Sequence, residues 1–224
     1  FITHEHADHI AGLGVLSRKY EIPIYATKGT IEAIKASACV GRIPEDLFCP
    51  ICAEEKVTVK DLVCNPMKIS HDAAEPVAYR ICHGKKRVGI ITDLGNYNEY
   101  TVESLKGMDA LLLEANHDVN MLQVGPYPYY LKQRILGDRG HLSNERAGQL
   151  LCHLLHEKLQ AVMLGHLSKE NNLPELAYES VRVELTMAQI SARDAECGQR
   201  AKTMLEFPMY VAPRSGNSPV ISIA

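Results

Sequence analysis

Residues 4–9 read His4-Glu5-His6-Ala7-Asp8-His9. The strand-like residues 1–3 precede this run and a predicted helix follows it, so the turn between them directs His4 and His6 one way and Asp8 and His9 another. Neutral imidazole and carboxylate suit zinc, manganese or iron, and two such ions roughly 3.5–4 Å apart clamp both oxygens of a hydrolytic displacement. The run therefore predicts two adjacent metal positions. The alternative is a polar loop that happens to be rich in histidine.

The composition predicts a compact protein. The 224 residues are 46% hydrophobic and 23% charged, which favours one domain spanning 1–224. A net charge of -3 gives no global attraction to nucleic acid, so such binding would need a local basic patch. Without a long apolar stretch or a signal peptide, a cytoplasmic protein with no membrane partner is expected. Because the chain starts with Phe1, just before its main motif, we also expect a missing N-terminal piece.

The seven cysteines are odd in number and irregularly spaced, which is typical of reduced cytosolic thiols rather than a disulfide framework. Cys49 and Cys52 could form half of a zinc knuckle with Cys39 and Cys64. No second C-x-x-C follows them, so reduced thiols are the favoured interpretation.

Helix and strand patterns alternate along the chain. Apolar residues at helical spacing predict helices at 7–20, 30–38, 119–135, 144–159 and 174–191. Alternating or continuous apolar runs predict strands at 22–26, 52–69, 76–82, 87–92, 109–114, 161–164, 203–211 and 219–223. Neither a repeat nor a linker marks a domain boundary.

Three more candidate ligands follow predicted strands. His71 and Asp93 come directly after apolar strands, and His166 follows another with only Gly165 between. Strand ends sit on a rigid sheet and project into its rim, where a site is both fixed and open to substrate. Each residue alone is equally compatible with a hydrogen-bonded histidine or a turn aspartate. Together with residues 4–9 they predict one metal site.

These segments resemble the metallo-β-lactamase superfamily. Four of them carry the likeness in order: Thr3-His4-Glu5-His6-Ala7-Asp8-His9, Ser70-His71-Asp72-Ala73, Ile91-Thr92-Asp93-Leu94-Gly95 and Leu164-Gly165-His166-Leu167-Ser168. Two others resemble its YycJ/VicX (WalJ) type of metal-dependent hydrolase: Leu113-Glu114-Ala115-Asn116-His117-Asp118 and Arg139-Gly140-His141-Leu142-Ser143-Asn144. The resemblance implies an α/β fold, an αββα sandwich of two mixed β-sheets flanked by helices. It also implies that the first strands of that fold are missing from this chain.

The resemblance further implies a complete set of ligands for two divalent metal ions, zinc or manganese. The first ion would take His4, His6 and His71, the second Asp8, His9 and His166, and Asp93 would bridge them. A bridging carboxylate screens two dications from each other, and the metals lower the pKa of the water held between them. Asp8 and Asp93 are therefore expected to be catalytic, Asp8 by orienting the nucleophile.

The kind of bond cleaved follows from the same comparison. Phosphodiesterases of the superfamily keep an Asp-His pair and a bridging Asp, as this chain does at Asp8, His9 and Asp93. Class B β-lactamases lack a usable Asp at the position that Asp8 occupies here. The YycJ resemblance implies a 5′-to-3′ exonuclease acting on DNA ends. Glyoxalase-type thiolesterases share the first motif, so a small-molecule hydrolase, either a thiolesterase or a cyclic phosphodiesterase, is the alternative. A non-catalytic metal-binding protein is a third possibility.

Substrate contacts are predicted in two further segments. His141 is expected to be an unligated acid or phosphate clamp, because the other imidazoles near the site are ligands. Ser143 and Asn144 begin a helix whose free N–H groups suit a phosphate, although an ordinary N-cap explains them equally well. His117 is a reserve candidate, with a turn histidine as its alternative.

Local positive charge gives the remaining candidates. Lys85, with Lys86 and Arg87, is the leading phosphate-backbone contact, although charge runs are usually solvated faces. Further basic candidates are Lys132, Arg134 and Arg139. Three tyrosines are candidates of another kind, which either stack on bases or pack against the protein: Tyr127, Tyr129 and Tyr130.

Overall fold

The computed structural model describes residues 1–195 and 207–224. The strands in these ranges are β1 (Ile24–Thr27), β2 (Phe48–Ile51), β3 (Val57–Val59), β4 (Leu62–Lys68), β5 (Val77–His83), β6 (Lys86–Ile91), β7 (Ala110–Glu114), β8 (Ala161–Gly165) and β9 (Met209–Val211). The α-helices are α1 (Ala7–Ile10), α2 (Leu13–Tyr20), α3 (Lys28–Ala36), α4 (Glu99–Leu105), α5 (Val119–Val124), α6 (Tyr129–Leu136), α7 (Asn144–Leu154) and α8 (Pro174–Ala195).

Two sheets organise these elements. Strands β3 to β9 form one seven-stranded sheet in sequence order, antiparallel from β3 to β6 and parallel from β6 to β9. Strands β1 and β2 pair in parallel as a small second sheet. The α/β class is confirmed. Both sheets were expected to be mixed, but within the described residues the larger sheet is mixed and the small one is parallel. Because β6 to β9 are parallel, their carboxyl ends share one edge, where ligand sites of such sheets form.

The core lies between the large sheet and the helices that cover it. Strands β7 and β8 are almost continuously apolar because neighbouring strands flank both and helices cover the sheet. Leu113 and Leu164 are fully buried there, in one apolar cluster with Leu151 of α7 and Val181 of α8. This packing holds the strand ends that carry the candidate ligands.

Some predicted elements differ from the structure. The helix expected at 7–20 is broken between α1 and α2, and Gly12 is the N-cap of α2. The expected strand at 219–223 does not form; the terminal backbone instead exchanges two hydrogen bonds with the Gln160 side chain, through Ala224. Residues 203–206 of the other closing strand lie outside the described residues. Strand β2 and helix α4 were not predicted, although a capping box at Asn98 marks the start of α4.

The cysteines form no metal site within the described residues. Cys39 and Cys52 are exposed and Cys64 is buried, and all six described cysteines are free thiols. The clusters of candidate metal donors contain no cysteine among the described residues, so no zinc knuckle forms there. Cys197 lies outside the described part of the chain. No described helix is long and apolar enough to cross a membrane.

Candidate metal centre

The turn that carries residues 4–9 is fixed by backbone pairing on both sides. Ile2 N–H donates to Tyr25 O at 2.9 Å and Val77 N–H donates to Thr3 O at 3.0 Å, so residues 1–3 run between β1 and β5. Helix α1 begins after His6, which has extended backbone angles. The change from extended to helical backbone therefore falls within the run of candidate ligands, between His6 and Ala7.

Asp93 and His166 follow β6 and β8 in an unusual backbone conformation. Their φ angles are 59° and 57°, in the left-handed region. For residues other than glycine this region costs roughly 1–2 kcal/mol each, and such strain is concentrated at functional sites. The strain at these two strand ends is therefore consistent with a functional role for both side chains.

All seven predicted ligands converge at this edge of the sheet. Donor atoms lie within 4.8 Å of one another in four groups: His4, His6 and His71; Asp8, His9 and His166; His4, His9 and Asp93; and Asp93, Glu114, His141 and His166. Asp93 links the first two groups. Its Oδ1 is 3.7 Å from His71 Nε2 and 3.3 Å from His166 Nε2. Its Oδ2 is 3.2 Å from His9 Nε2.

The chemistry of these donors fits divalent cations. His4 Nε2 is buried without a hydrogen-bond partner, and such an unsatisfied group costs about 1–3 kcal/mol unless something binds it. Burial lowers the pKa of His4 to about 3, despite the nearby Asp93 carboxylate, so its ring is neutral and presents a lone pair. Burial also raises the pKa of Asp93, but His9 and His166 outweigh this and hold it below its usual range. Neutral imidazoles around an ionised carboxylate are suitable ligands for zinc or manganese.

Hydrogen bonds at Nδ1 orient the ligand rings. Gly140 O lies 3.0 Å from His71 Nδ1, Thr3 Oγ1 lies 3.1 Å from His4 Nδ1, and Glu114 Oε1 lies 2.9 Å from His166 Nδ1. Such contacts fix the tautomer and leave Nε2 free to ligate. Burial lowers the pKa of His166, but Asp8 and Glu114 outweigh burial and raise it to about 10. The same negative charge favours a metal cation at this position.

Glu114 connects His141 to this centre, a role that the sequence analysis missed although its motif was noted. It is fully buried at the end of β7, and its Oε1 accepts from His141 Nδ1 at 2.7 Å as well as from His166. Its Oε2 accepts from the backbone N–H groups of Leu94 at 2.8 Å and Leu142 at 3.2 Å. Burial raises the pKa of Glu114, but the two imidazoles outweigh it and lower it to about 2. The pKa of His141 is correspondingly raised by Glu114, against the effect of burial.

A cavity of about 560 Å³ opens onto the cluster. Its base includes the ligand candidates His6, Asp8, Asp93 and His166, and His141 also lines it. Its walls add apolar and aromatic side chains and three cations: Tyr127, Leu131, Ile135, Arg134, Lys169 and Arg214. The cavity therefore places cationic side chains beside the candidate metal ligands.

Three residues that were predicted to contact the substrate lie away from the cavity. The Ser143 hydroxyl caps α7 by accepting from Arg146 N at 3.3 Å, as its N-cap alternative proposes. Asn144 is buried and exchanges hydrogen bonds of 3.0 and 2.8 Å with Asn172. His117 is buried beside Asn116, and burial lowers its pKa to about 4. None of the three lines the cavity.

Lys85, predicted as a phosphate-backbone contact, is not brought to the cluster. It lies in the turn that precedes β6, whereas Asp93 follows the other end of that strand. Eight residues at about 3.3 Å each separate the two positions by roughly 25 Å. Lys85 instead lines a separate cavity with Arg87 and Lys158.

The other basic candidates differ in whether they line the cavity. Arg134 lines the cavity and forms an ion pair with Asp72, whereas Lys132 donates to Gln123 O at 2.7 Å. Arg139 donates to the His71 carbonyl from two nitrogens, at 3.2 and 3.1 Å, and so helps to position a candidate ligand. Tyr127 lines the cavity, while two further tyrosines are exposed on α6: Tyr129 and Tyr130.

Sequence reasoning missed Asp72, Lys169 and Arg214. Asp72 Oδ1 lies 3.6 Å from His71 Nε2 and 3.8 Å from His6 Nε2 and is buried without a hydrogen bond. Its place directly after His71 was a usable signal. Arg214 follows a predicted strand but stands far from every motif along the chain, so the sequence carries no comparable signal for it.

Comparison with known proteins identifies relatives of this chain. Residues 1–166 match the model of the beta-lactamase superfamily domain. The chain is 40% identical over 180 residues to Exodeoxyribonuclease YycJ of Bacillus anthracis, a match that covers 80% of this chain and 67% of that protein. It is 39% identical over 189 residues to Exodeoxyribonuclease WalJ of Streptococcus pneumoniae serotype 2, covering 84% and 70%.

Solved structures share the fold at low sequence identity. The metallo-beta-lactamase fold protein YhfI from Bacillus subtilis superposes with a TM-score of 0.61 at 18% identity, covering 82% of this chain and 70% of that one. Zn(2+)-bound PqqB from Methylobacterium extorquens superposes with a TM-score of 0.60 at 20% identity, and the match covers 83% of this chain and 64% of that one. At such identities these similarities establish the fold alone.

Proposed function

This chain belongs to the metallo-β-lactamase superfamily, in its YycJ/WalJ type, and we therefore propose that it is a metal-dependent phosphodiesterase that degrades DNA from its ends in the 5′-to-3′ direction. The observation that carries the proposal is the meeting of two histidine-rich ligand groups at Asp93. The curated relatives named exodeoxyribonucleases support DNA as the substrate. The basic side chains around the cavity are consistent with it.

The proposed centre holds two divalent ions, zinc or manganese. One would be held by His4, His6 and His71, the other by Asp8, His9 and His166, with Asp93 shared. When bound, such ions lower the pKa of water and polarise phosphoryl oxygens. The protein's own contribution is to keep His4 and His71 neutral and the Asp93 carboxylate ionised before any ion arrives.

Two groups of the chain would handle protons. Asp8 lines the cavity beside His166, at 3.6 Å from Oδ2 to Nε2, and would orient the attacking water. His141 would donate its Nε2 proton to the leaving alkoxide as the P–O bond breaks, because Glu114 engages its Nδ1 and favours the protonated ring. Glu114 touches neither substrate nor leaving group in this scheme and acts as a positioning residue.

The experiment compares three substrates with metal-reconstituted protein: a 5′-labelled duplex, a 5′-labelled single strand and bis(p-nitrophenyl) phosphate. A 5′-to-3′ exonuclease should release the label as a mononucleotide early in the reaction, before the remaining strand has shortened far. Hydrolysis of bis(p-nitrophenyl) phosphate with intact DNA would overturn the proposal and favour the small-molecule hydrolase. Late release of the label would refute the polarity alone.

A further inference from the structure

The segment after β9 returns the chain to the metal centre. Strand β9 pairs in parallel with β8, with Leu164 opposite Val211, and Ala212 N–H donates to Leu164 O at 2.8 Å. The residues that follow β9 therefore emerge at the same edge of the sheet as Asp93 and His166. Arg214 lines the cavity there, well beyond residue 166, where the match to the superfamily domain ends.

Two cations of the cavity wall are available to a ligand. Among the described residues, Arg214 donates one hydrogen bond, from Nη1 to Leu167 O at 3.0 Å, and pairs with no carboxylate. Lys169 is 70% exposed, and its Nζ lies 3.8 Å from Glu170 Oε1, a surface pair that contributes little. Arg134 differs from both, because Asp72 already neutralises it.

We propose that Lys169 and Arg214 form a phosphate subsite beside the metal centre, which holds a phosphate next to the one being cleaved. This inference rests on the proposed nuclease function. Guanidinium presents a planar fork of donors to phosphate and lysine adds a point charge. Ligand sites typically measure about 300–1,000 Å³, and the cavity has about 560 Å³ beside the centre.

The bound phosphate has two possible sources. It is either the terminal 5′-phosphate of the nucleotide being removed or the next internal phosphate of the strand. Both are phosphate esters of the same nucleic acid, so the side-chain chemistry is shared. Oligonucleotides with 5′-phosphate and 5′-hydroxyl ends distinguish them.

The test uses Arg214→Gln, Lys169→Gln and the double variant, with Lys158→Gln as the matched control. Lys158 lies at the cavity beside Lys85, so its replacement removes the same charge away from the proposed subsite. Each variant is assayed for kcat/KM on both oligonucleotides and on bis(p-nitrophenyl) phosphate, which has no neighbouring phosphate. Binding to a phosphorothioate-protected oligonucleotide is measured as a function of salt concentration. The metal content of each variant shows whether the substitution has disturbed the candidate ligand His166.

The double variant should lose about tenfold more kcat/KM on DNA than on bis(p-nitrophenyl) phosphate, and its log Kd against log salt slope should fall by about one. Loss confined to the 5′-phosphorylated strand identifies the terminal phosphate, and equal loss on both strands identifies the internal one. Arg214→Lys should lose less kcat/KM on DNA than Arg214→Gln, because lysine keeps the positive charge.

An unchanged salt slope and equal losses on DNA and the small ester would overturn the subsite. Failure of the nuclease proposal is separate, because the wild-type protein itself would then leave DNA intact. The binding measurement still tests the subsite in that case. A fall in metal content that accounts for the lost activity would also overturn it, by tracing the effect to the Leu167 contact beside His166.

Discussion

Glu114→Gln should disable the protein without removing a metal ligand or a substrate contact. The carboxylate accepts four hydrogen bonds, from two imidazoles on Oε1 and two backbone N–H groups on Oε2. An amide has one acceptor oxygen and one donor nitrogen, so either pair of donors must face an N–H group. With about 1–3 kcal/mol for each of the two unsatisfied donors, the free energy of unfolding should fall by about 2–6 kcal/mol.

Turnover should fall more than stability alone explains. Glu114 raises the pKa of His141, so its neutral replacement favours the unprotonated ring and removes the proposed acid. General acid catalysis contributes about 10²–10⁴-fold, and we expect kcat to fall by about 100-fold or more at saturating metal. Urea unfolding, metal analysis and steady-state kinetics on a 5′-labelled oligonucleotide, whose alkoxide leaving group needs the proton, measure the three effects separately.

Glu103→Gln is the matched control, because Glu103 is an exposed carboxylate that pairs with Lys106 on the surface. It should change the free energy of unfolding by less than about 0.5 kcal/mol. A folded, metal-loaded Glu114→Gln protein with kcat within about threefold of wild type would refute the assigned role of Glu114.

Asp93→Ala should lower metal content and cut kcat by at least about 10³-fold, because both ligand groups share this carboxylate; full turnover at saturating metal would contradict this. His141→Ala should keep the metals and lose about 10²–10⁴-fold in kcat, so metal loss in this variant would refute the acid role. Chelation should lower Tm by roughly 11–22 °C, since each of two ions at 100 times its Kd adds about 2.7 kcal/mol to a domain of this size; an unchanged Tm in a differential scanning measurement argues against a tight site. Burial lowers the pKa of His141 but Glu114 outweighs burial and raises it, so kcat should fall only as pH rises through a pKa above that of a free histidine; an alkaline limb at the free histidine pKa, or one unchanged in His141→Ala, would count against it.

The convergence of the seven candidate ligands was predictable because its information is local. Residues 4–9 place four candidate ligands within one turn, and His71 and Asp93 stand directly after apolar strands. A residue at the end of a parallel strand has its edge of the sheet determined by topology, so strand order alone brings Asp93 and His166 together. The superfamily resemblance supplied the pairing of these residues into two groups.

The substrate side was less predictable because it depends on tertiary packing. The charge run around Lys85 shows where positive charge lies in sequence but not which end of β6 carries the site. Ser143 satisfies the helix it precedes, and Asn144 is paired with Asn172, a partner 28 residues away. Arg214 reaches the cavity only through the parallel pairing of β8 with β9.

Metal stoichiometry together with metal positions tests the central claim most directly. The protein reconstituted with zinc or manganese should contain two ions per chain, and anomalous scattering from its crystals should place them on either side of Asp93. One ion should contact His4, His6 and His71, and the other Asp8, His9 and His166. A single ion per chain at saturating metal, or ions located away from Asp93, would contradict the account.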